Sequence, residues 1–161
     1  MMASLELLPL RRLREEKASR EVVRSRHSLE EANRQRDNHN QRLLDYGQWR
    51  RQKEDDMFES IRNGKLKPAD LDRFKQRIQK LRAQQQQLEL DLEHKQQAVD
   101  EAALTHEQRR QDLRGAHKAL EKIECLYQDQ LEEQAHYEAV RAERELEDVI
   151  IRPVECFDDF I

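Results

Sequence analysis

The sequence predicts an all-α protein, a long antiparallel two-helix coiled-coil hairpin. Three observations carry this. Charged residues make up 40% and hydrophobic residues 36% of the 161-residue chain, with three Gly and three Pro. Such a chain can bury a narrow seam but cannot fill a thick core, and its wealth of Glu, Gln, Arg, Leu and Ala suits long helix. Apolar residues recur in heptad rhythm on both sides of one loop. That loop, NGKLKPAD, is short, so the helices it joins become antiparallel neighbours.

Residues 1–9 are expected to form a flexible N-terminus, and residues 10–62 the first long helix. Its seam steps three and four residues at a time through Ala18, Val22, Ser25, Leu29, Ala32, Arg36, His39, Leu43, Tyr46, Arg50, Lys53, Met57 and Ser60. Seven of these thirteen are apolar, so the middle of this helix packs loosely. The loop takes residues 63–67. Asn63-Gly64 stops the first helix, the glycine being suited to a left-handed cap.

Pro68 fits the first turn of the second helix, expected over 68–148, and Asp70 and Asp72 complement its N-terminal dipole. From Leu71 the same stepping gives Phe74, Ile78, Leu81, Gln85, Leu88, Leu92, Lys95, Val99, Ala102, His106, Arg109, Leu113, Ala116, Leu120, Ile123 and Tyr127. Twelve of these sixteen are apolar. Folding the chain about residues 65 and 66 sets Met57 against Phe74, Leu43 against Leu88, Leu29 against Ala102 and Ala18 against Leu113. Two independently read seams then meet apolar to apolar. The hairpin seam is expected to centre on Leu43, Met57, Phe74, Ile78, Leu81 and Leu88.

At 1.5 Å per residue the helices would measure about 80 Å and about 120 Å. The second outruns the first, which leaves Leu126, Tyr127, Leu131, Tyr137 and Val140 with more apolar surface than a free helix needs. Pro153 ends the pattern, and 149–161 reads as a non-helical acidic and aromatic tail, either frayed or a docking peptide. All of this forms one structural domain.

Net charge is −4, but it is unevenly spread. Residues 1–53 hold 13 basic and 8 acidic side chains, net +5, and residues 118–161 hold 5 and 13, net −8. An antiparallel hairpin brings these ends together. The arginines are diluted by glutamates and no reading motif accompanies them, which argues against nucleic acid. No segment is apolar enough to insert in a membrane, and the opening residues lack a signal-peptide pattern. Cys125 and Cys156 form neither a metal spacing nor a disulfide framework, which favours a reducing setting.

Catalytic chemistry finds no support. The sequence has no phosphate loop and no His-Glu-x-x-His, and carboxylate pairs such as Asp55-Asp56 diverge on a helix. His94, His106, His117 and His136 are scattered along one helix. An enzyme, a cofactor and a metal are therefore not expected. The aromatics near the loop are more informative. Tyr46, Met57 and Phe74 fall on the seam, whereas Trp49 and Phe58 are offset from it. They read either as a hydrophobic cap on the hairpin end or as a partner-binding patch. The basic run Arg11, Arg12, Arg14, Lys17, Arg20, Arg24 and Arg26 is either a solvated surface or an electrostatic plug for an acidic ring or groove.

DYGQWRRQKEDDMF, the loop, and then DLDRFKQRIQKLR resemble the YscO-type stalk proteins of bacterial type III secretion systems, relatives of the flagellar FliJ proteins. The likeness extends over about residues 10–148 and is most distinctive over Tyr46 to Leu81. It implies a hairpin similar to the central stalk subunit of rotary ATPases. It implies insertion of the joined helix ends into a hexameric export ATPase, and contact with the cytoplasmic domain of the export gate. It also implies secretion chaperones as candidate further partners, and a setting in the bacterial cytoplasm beside the inner-membrane export apparatus. By this resemblance the ATPase-binding residues would be Arg11, Arg12, Arg14, Ile123, Tyr127 and Leu131. The export-gate-binding residues would be His39, Tyr46, Trp49, Arg50 and Gln85. Arg50 stands where the flagellar pattern has an aromatic, with Trp49 beside it. A self-associating coiled-coil scaffold and a secretion chaperone or escort are the alternatives.

Overall fold

The computed structural model describes residues 2–64 and 67–151. They form two helices, α1 (Met2–Asn63) and α2 (Pro68–Ile151), with no strand among the described residues. Pro68 opens α2, where its missing N–H is no loss. The main-chain N–H groups of Asp70 and Leu71 donate to the Lys67 carbonyl at 3.0 and 3.3 Å. Arg62 lies in the last turn of α1, where a cation is favoured.

Two boundary expectations and one capping expectation change. α1 begins at Met2 rather than at residue 10 and carries Pro9 within it. Met2, Ala3, Leu5, Glu6, Leu7 and Leu8 are good helix formers, which offsets one missing N–H close to the helix start. α2 runs on to Ile151, so the expected tail does not start at 149; Pro153 and the remainder of that tail lie outside the described residues. Gly64 stops α1 without a left-handed cap, since no described glycine has a positive φ. Its need is steric: a Cβ there would lie 2.6 Å from the Ser60 carbonyl oxygen.

The chain divides into two units. The larger comprises residues 19–112, and in it α1 and α2 run antiparallel. Ser25 meets His106, Arg36 meets Gln96, Tyr46 meets Leu81 and Phe58 meets Phe74. Ile78 and Val99 are its most buried apolar side chains. Leu43, Met57, Phe74, Leu81 and Leu88 are half-buried, as a seam open to water on both flanks requires. The middle of this seam is polar. Arg36 reaches Gln96 at 3.5 Å and Lys95 reaches Gln35 at 3.3 Å.

Ser25 is buried, and its Oγ donates to the Val22 carbonyl at 2.9 Å. Nδ1 of His106 lies 2.9 Å from the same Oγ. With the hydroxyl proton already given to Val22, that imidazole nitrogen must be the donor.

Near the loop the heptad breaks. The inward positions of α1 are Tyr46, Arg50, Glu54, Met57 and Ile61, while the expected Lys53 and Ser60 are exposed. On α2 they are Asp70, Phe74, Ile78 and Leu81, and the expected Leu71 is exposed. Two successive four-residue steps in each helix make a stutter, which locally unwinds a supercoil. The expectation failed because a strict seven-residue repeat was carried through it. Arg109 also leaves the seam, its guanidinium turning to Asp112 at 3.6 Å.

The smaller unit joins the residues up to Ala18 with those from Leu113 onward. Leu8, Arg11, Glu15 and Ala18 line α1, and Leu113, Ala116, Leu120, Ile123 and Tyr127 line α2; Leu120 is the most buried.

Candidate functional site

In the larger unit, four of the five residues expected to bind the gate come together at the stutter. Tyr46 donates its hydroxyl proton to the Leu81 carbonyl, and its ring lies 5.5 Å from that of Trp49 at 41°. Trp49 is 52% exposed, so the indole leans on a half-buried neighbour and shows its other face to solvent. Arg50 is drawn inward. Its Nε donates to Gln85 Oε1, and its Nη1 donates to Glu54 at 2.7 Å. Gln85 in turn donates to Glu89 at 3.1 Å. His39 stands apart on the seam, where its Nδ1 lies 3.2 Å from the Gln35 carbonyl.

Two residues that sequence reasoning missed complete this group. Glu54 is buried, at 8% exposure, and receives Arg82 from α2 at 3.4 Å as well as Arg50 from its own helix. Burial opposes its charge, but the hydrogen bonds and charges of Arg50 and Arg82 outweigh that. Its pKa therefore lies below the ordinary glutamate value. Burial pushes the Tyr46 hydroxyl the other way; Arg50 opposes this and Glu54 adds to it, and the net pKa is raised. The Arg50 to Glu54 spacing of four residues was the available signal. It was overlooked because a heptad assigns position 54 to solvent.

Arg50 and Gln85 are thus spent on the hairpin itself, whereas Trp49 offers free apolar surface. Phe58 is a second such ring. It is half exposed and sits edge-on to Phe74 at 5.3 Å.

In the smaller unit the expected ATPase-binding residues differ in setting. Ile123 and Tyr127 are half-buried in the seam, and Leu131 is exposed. Arg12 is exposed and lies 3.6 Å from Glu124, and Arg14 is exposed. Arg11 is half-buried, and its Nε has no hydrogen-bond partner among the described residues. His117 lies 3.2 Å from Glu15 through Nδ1 and 3.2 Å from Glu121 through Nε2, so only the doubly protonated ring donates to both. Farther along α2, Tyr137 at 77% exposure, Leu146, Val149 and Ile150 are open to solvent.

No cluster of His, Cys, Asp and Glu among the described residues could hold a metal. No helix there is long and apolar enough to cross a membrane. The grooves at the stutter are open and lined by arginine, glutamine and glutamate. A groove this open does not exclude water.

The decisive observation comes from comparison with known families: the family model described as Type III secretion protein YscO matches residues 5–151. The chain belongs to the YscO family. The crystal structure of the type III secretion protein YscO from Vibrio parahaemolyticus superposes on this YscO-family chain with a TM-score of 0.83. That match covers 91% of this chain and 92% of the other, at 22% sequence identity. The packed helical hairpin is therefore a fold the YscO-family chain shares with that protein. No curated protein sequence matches it.

Proposed function

We propose that this YscO-family protein couples the hexameric ATPase of a type III secretion system to the cytoplasmic domain of its export gate. It would work in the cytoplasm beside the inner-membrane apparatus. Membership of the family supports a role in type III secretion. The single observation that carries the coupling reading is the pair of unlike surfaces on one chain. The smaller unit offers Arg12, Arg14 and Leu131 to solvent, and the larger unit offers Trp49.

In this reading Arg11, Arg12, Arg14, Ile123, Tyr127 and Leu131 meet the ATPase, which holds the protein in its ring by charge and apolar contact. Tyr46 and Trp49 meet the gate, with Arg50 and Gln85 as supports rather than primary contacts, and His39 at the margin. Chaperones are further partners. Nucleotide-driven asymmetry in the ring then biases the helix pair, and the pair passes that bias to the gate. Chemical catalysis belongs to the ATPase alone.

The test is a pull-down of the cognate ATPase, with ATP hydrolysis and hexamer formation measured with and without this protein. Capture together with a changed hydrolysis rate is expected. Absence of both would remove the coupling role.

A second reading is favoured by the exposed Tyr137, Leu146, Val149 and Ile150 of α2. It makes the protein a self-associating coiled-coil scaffold. Concentration-dependent sedimentation, abolished by charge substitutions at those positions, would support it.

A further inference from the structure

Residues 50–61 of α1 carry side chains suited to two ways of facing α2, of which the structure shows one. In the arrangement seen, Glu54 and Ile61 turn inward from α1 and Asp70 from α2, while Leu71 is 40% exposed. Continuing the heptad of residues 18–50 would turn in Lys53 and Ser60 instead. Running the heptad of residues 74–106 backwards would turn in Leu71. Each arrangement covers one aliphatic residue beside the loop, Ile61 in the first and Leu71 in the second. Apolar burial therefore hardly separates them.

Polar groups do separate them. Glu54 accepts from Arg50 at 2.7 Å and from Arg82 at 3.4 Å, joining both helices. Lys53 in its place would bring a third cation to the same two arginines. Buried polar groups that choose a register are well attested in coiled coils. Gly47 supplies the compliance. It stands within α1 beside Tyr46, just before the stutter, and a Cβ there would meet nothing within 4 Å. Packing does not call for a glycine at that point, and its presence lowers the resistance of the helix to a change of winding.

We propose that residues 48–63, with the first turn of α2 turning to match, form a two-register element, hinged at Gly47 and locked by Glu54 in the register seen in the structure. At about 100° per residue, the two registers differ by a turn of about 50° around the α1 axis. That turn carries Trp49 toward the seam and takes Phe58 away from its edge contact with Phe74. Both rings are about half exposed in the register seen, and the turn covers more of Trp49 while baring more of Phe58. A partner that grips Trp49 holds the lock closed, and one that grips Phe58 opens it, each by its differential affinity for the two registers. This holds whether or not the partner is an export gate.

The test reads both aromatics in the full-length chain. Acrylamide quenching of Trp49, the single tryptophan, reports one position, and a W49F/F58W reporter chain reports the other. Glu54→Gln removes charge-assisted bonds and should shift the ratio of registers by about tenfold or more. Quenching at position 49 then falls and at position 58 rises, with helicity unchanged. A second arm keeps Glu54 and makes the other register more apolar through K53L/S60L, which should move both probes the same way. Quenching that rises at both positions would mean local unfolding and overturns the proposal. So does K53L/S60L leaving both probes where they were, whatever becomes of Glu54→Gln.

Discussion

The hydroxyl of Tyr46 donates to the main-chain carbonyl of Leu81 at 2.9 Å, a side chain of α1 bonded to the backbone of α2. A carbonyl inside a helix already accepts from the residue four along, so the tyrosine occupies its second lone pair. The bond sits where the regular seam gives way to the stutter, and it also fixes the ring on which Trp49 leans at 5.5 Å.

Tyr46→Phe should therefore destabilise the chain by about 1 kcal/mol, the usual net worth of such a bond, seen as a lower thermal midpoint. Alkali should act through the same group. Burial raises the tyrosine pKa above its ordinary 10.0, with Arg50 opposing and Glu54 adding to the shift. The folded chain holds that proton more tightly than the unfolded chain does. Stability is then intact below pH 10 and falls as pH rises through the folded-state value. Thermal melts from pH 9 upward should show this loss in the native chain and a smaller one in Tyr46→Phe.

Glu54 gives the opposite pH dependence. Despite burial, Arg50 and Arg82 hold its pKa below the ordinary 4.5. Its contribution is present above that value and lost as pH falls through the lower folded-state pKa. Acid titration of the thermal midpoint should lose part of its slope in Glu54→Gln, which at neutral pH is already less stable than the native chain.

Trp49→Ala separates the two roles open to the indole. With half its surface exposed, truncation should shift the melting midpoint by only a few degrees. Under the proposed coupling role, capture of the export-gate domain should weaken by about 2 kcal/mol or more, as for an aromatic anchor at an interface. Lost melting with intact capture would assign the ring to capping the hairpin instead.

The glycines should respond in opposite senses. Gly47→Ala meets no neighbour and replaces the poorest common helix former with the best, so it should stabilise by about 0.5–1 kcal/mol. Gly64→Ala brings a Cβ to 2.6 Å from the Ser60 carbonyl and should lower the midpoint. Circular-dichroism melts of both variants decide the matter.

The helices, the loop and the approximate pairing could be read from the chain because an apolar stripe on a helix has one dominant physical cause. Its phase near the loop could not. A heptad and a stutter differ by one residue over three turns, and Lys53 and Glu54 look equally foreign to a seam. Only the meeting of Arg50 and Arg82, from different helices, shows which of the two is turned in. The start of α1 was misread for a related reason. Pro9 disfavours helix locally, but a single missing donor near the end weighs less than a run of good formers. The tryptophan was legible as an offset aromatic and Arg50 as a seam position, whereas what satisfies the inward guanidinium depends on a partner 35 positions away.

No large side chain among the described residues is fully enclosed. Two helices alone cannot surround anything, so the chain asks of each inward position only that it be roughly apolar, and it places few demands on shape. Such a fold tolerates wide drift in spelling while keeping its form, as the superposition with the Vibrio parahaemolyticus protein at 22% identity illustrates.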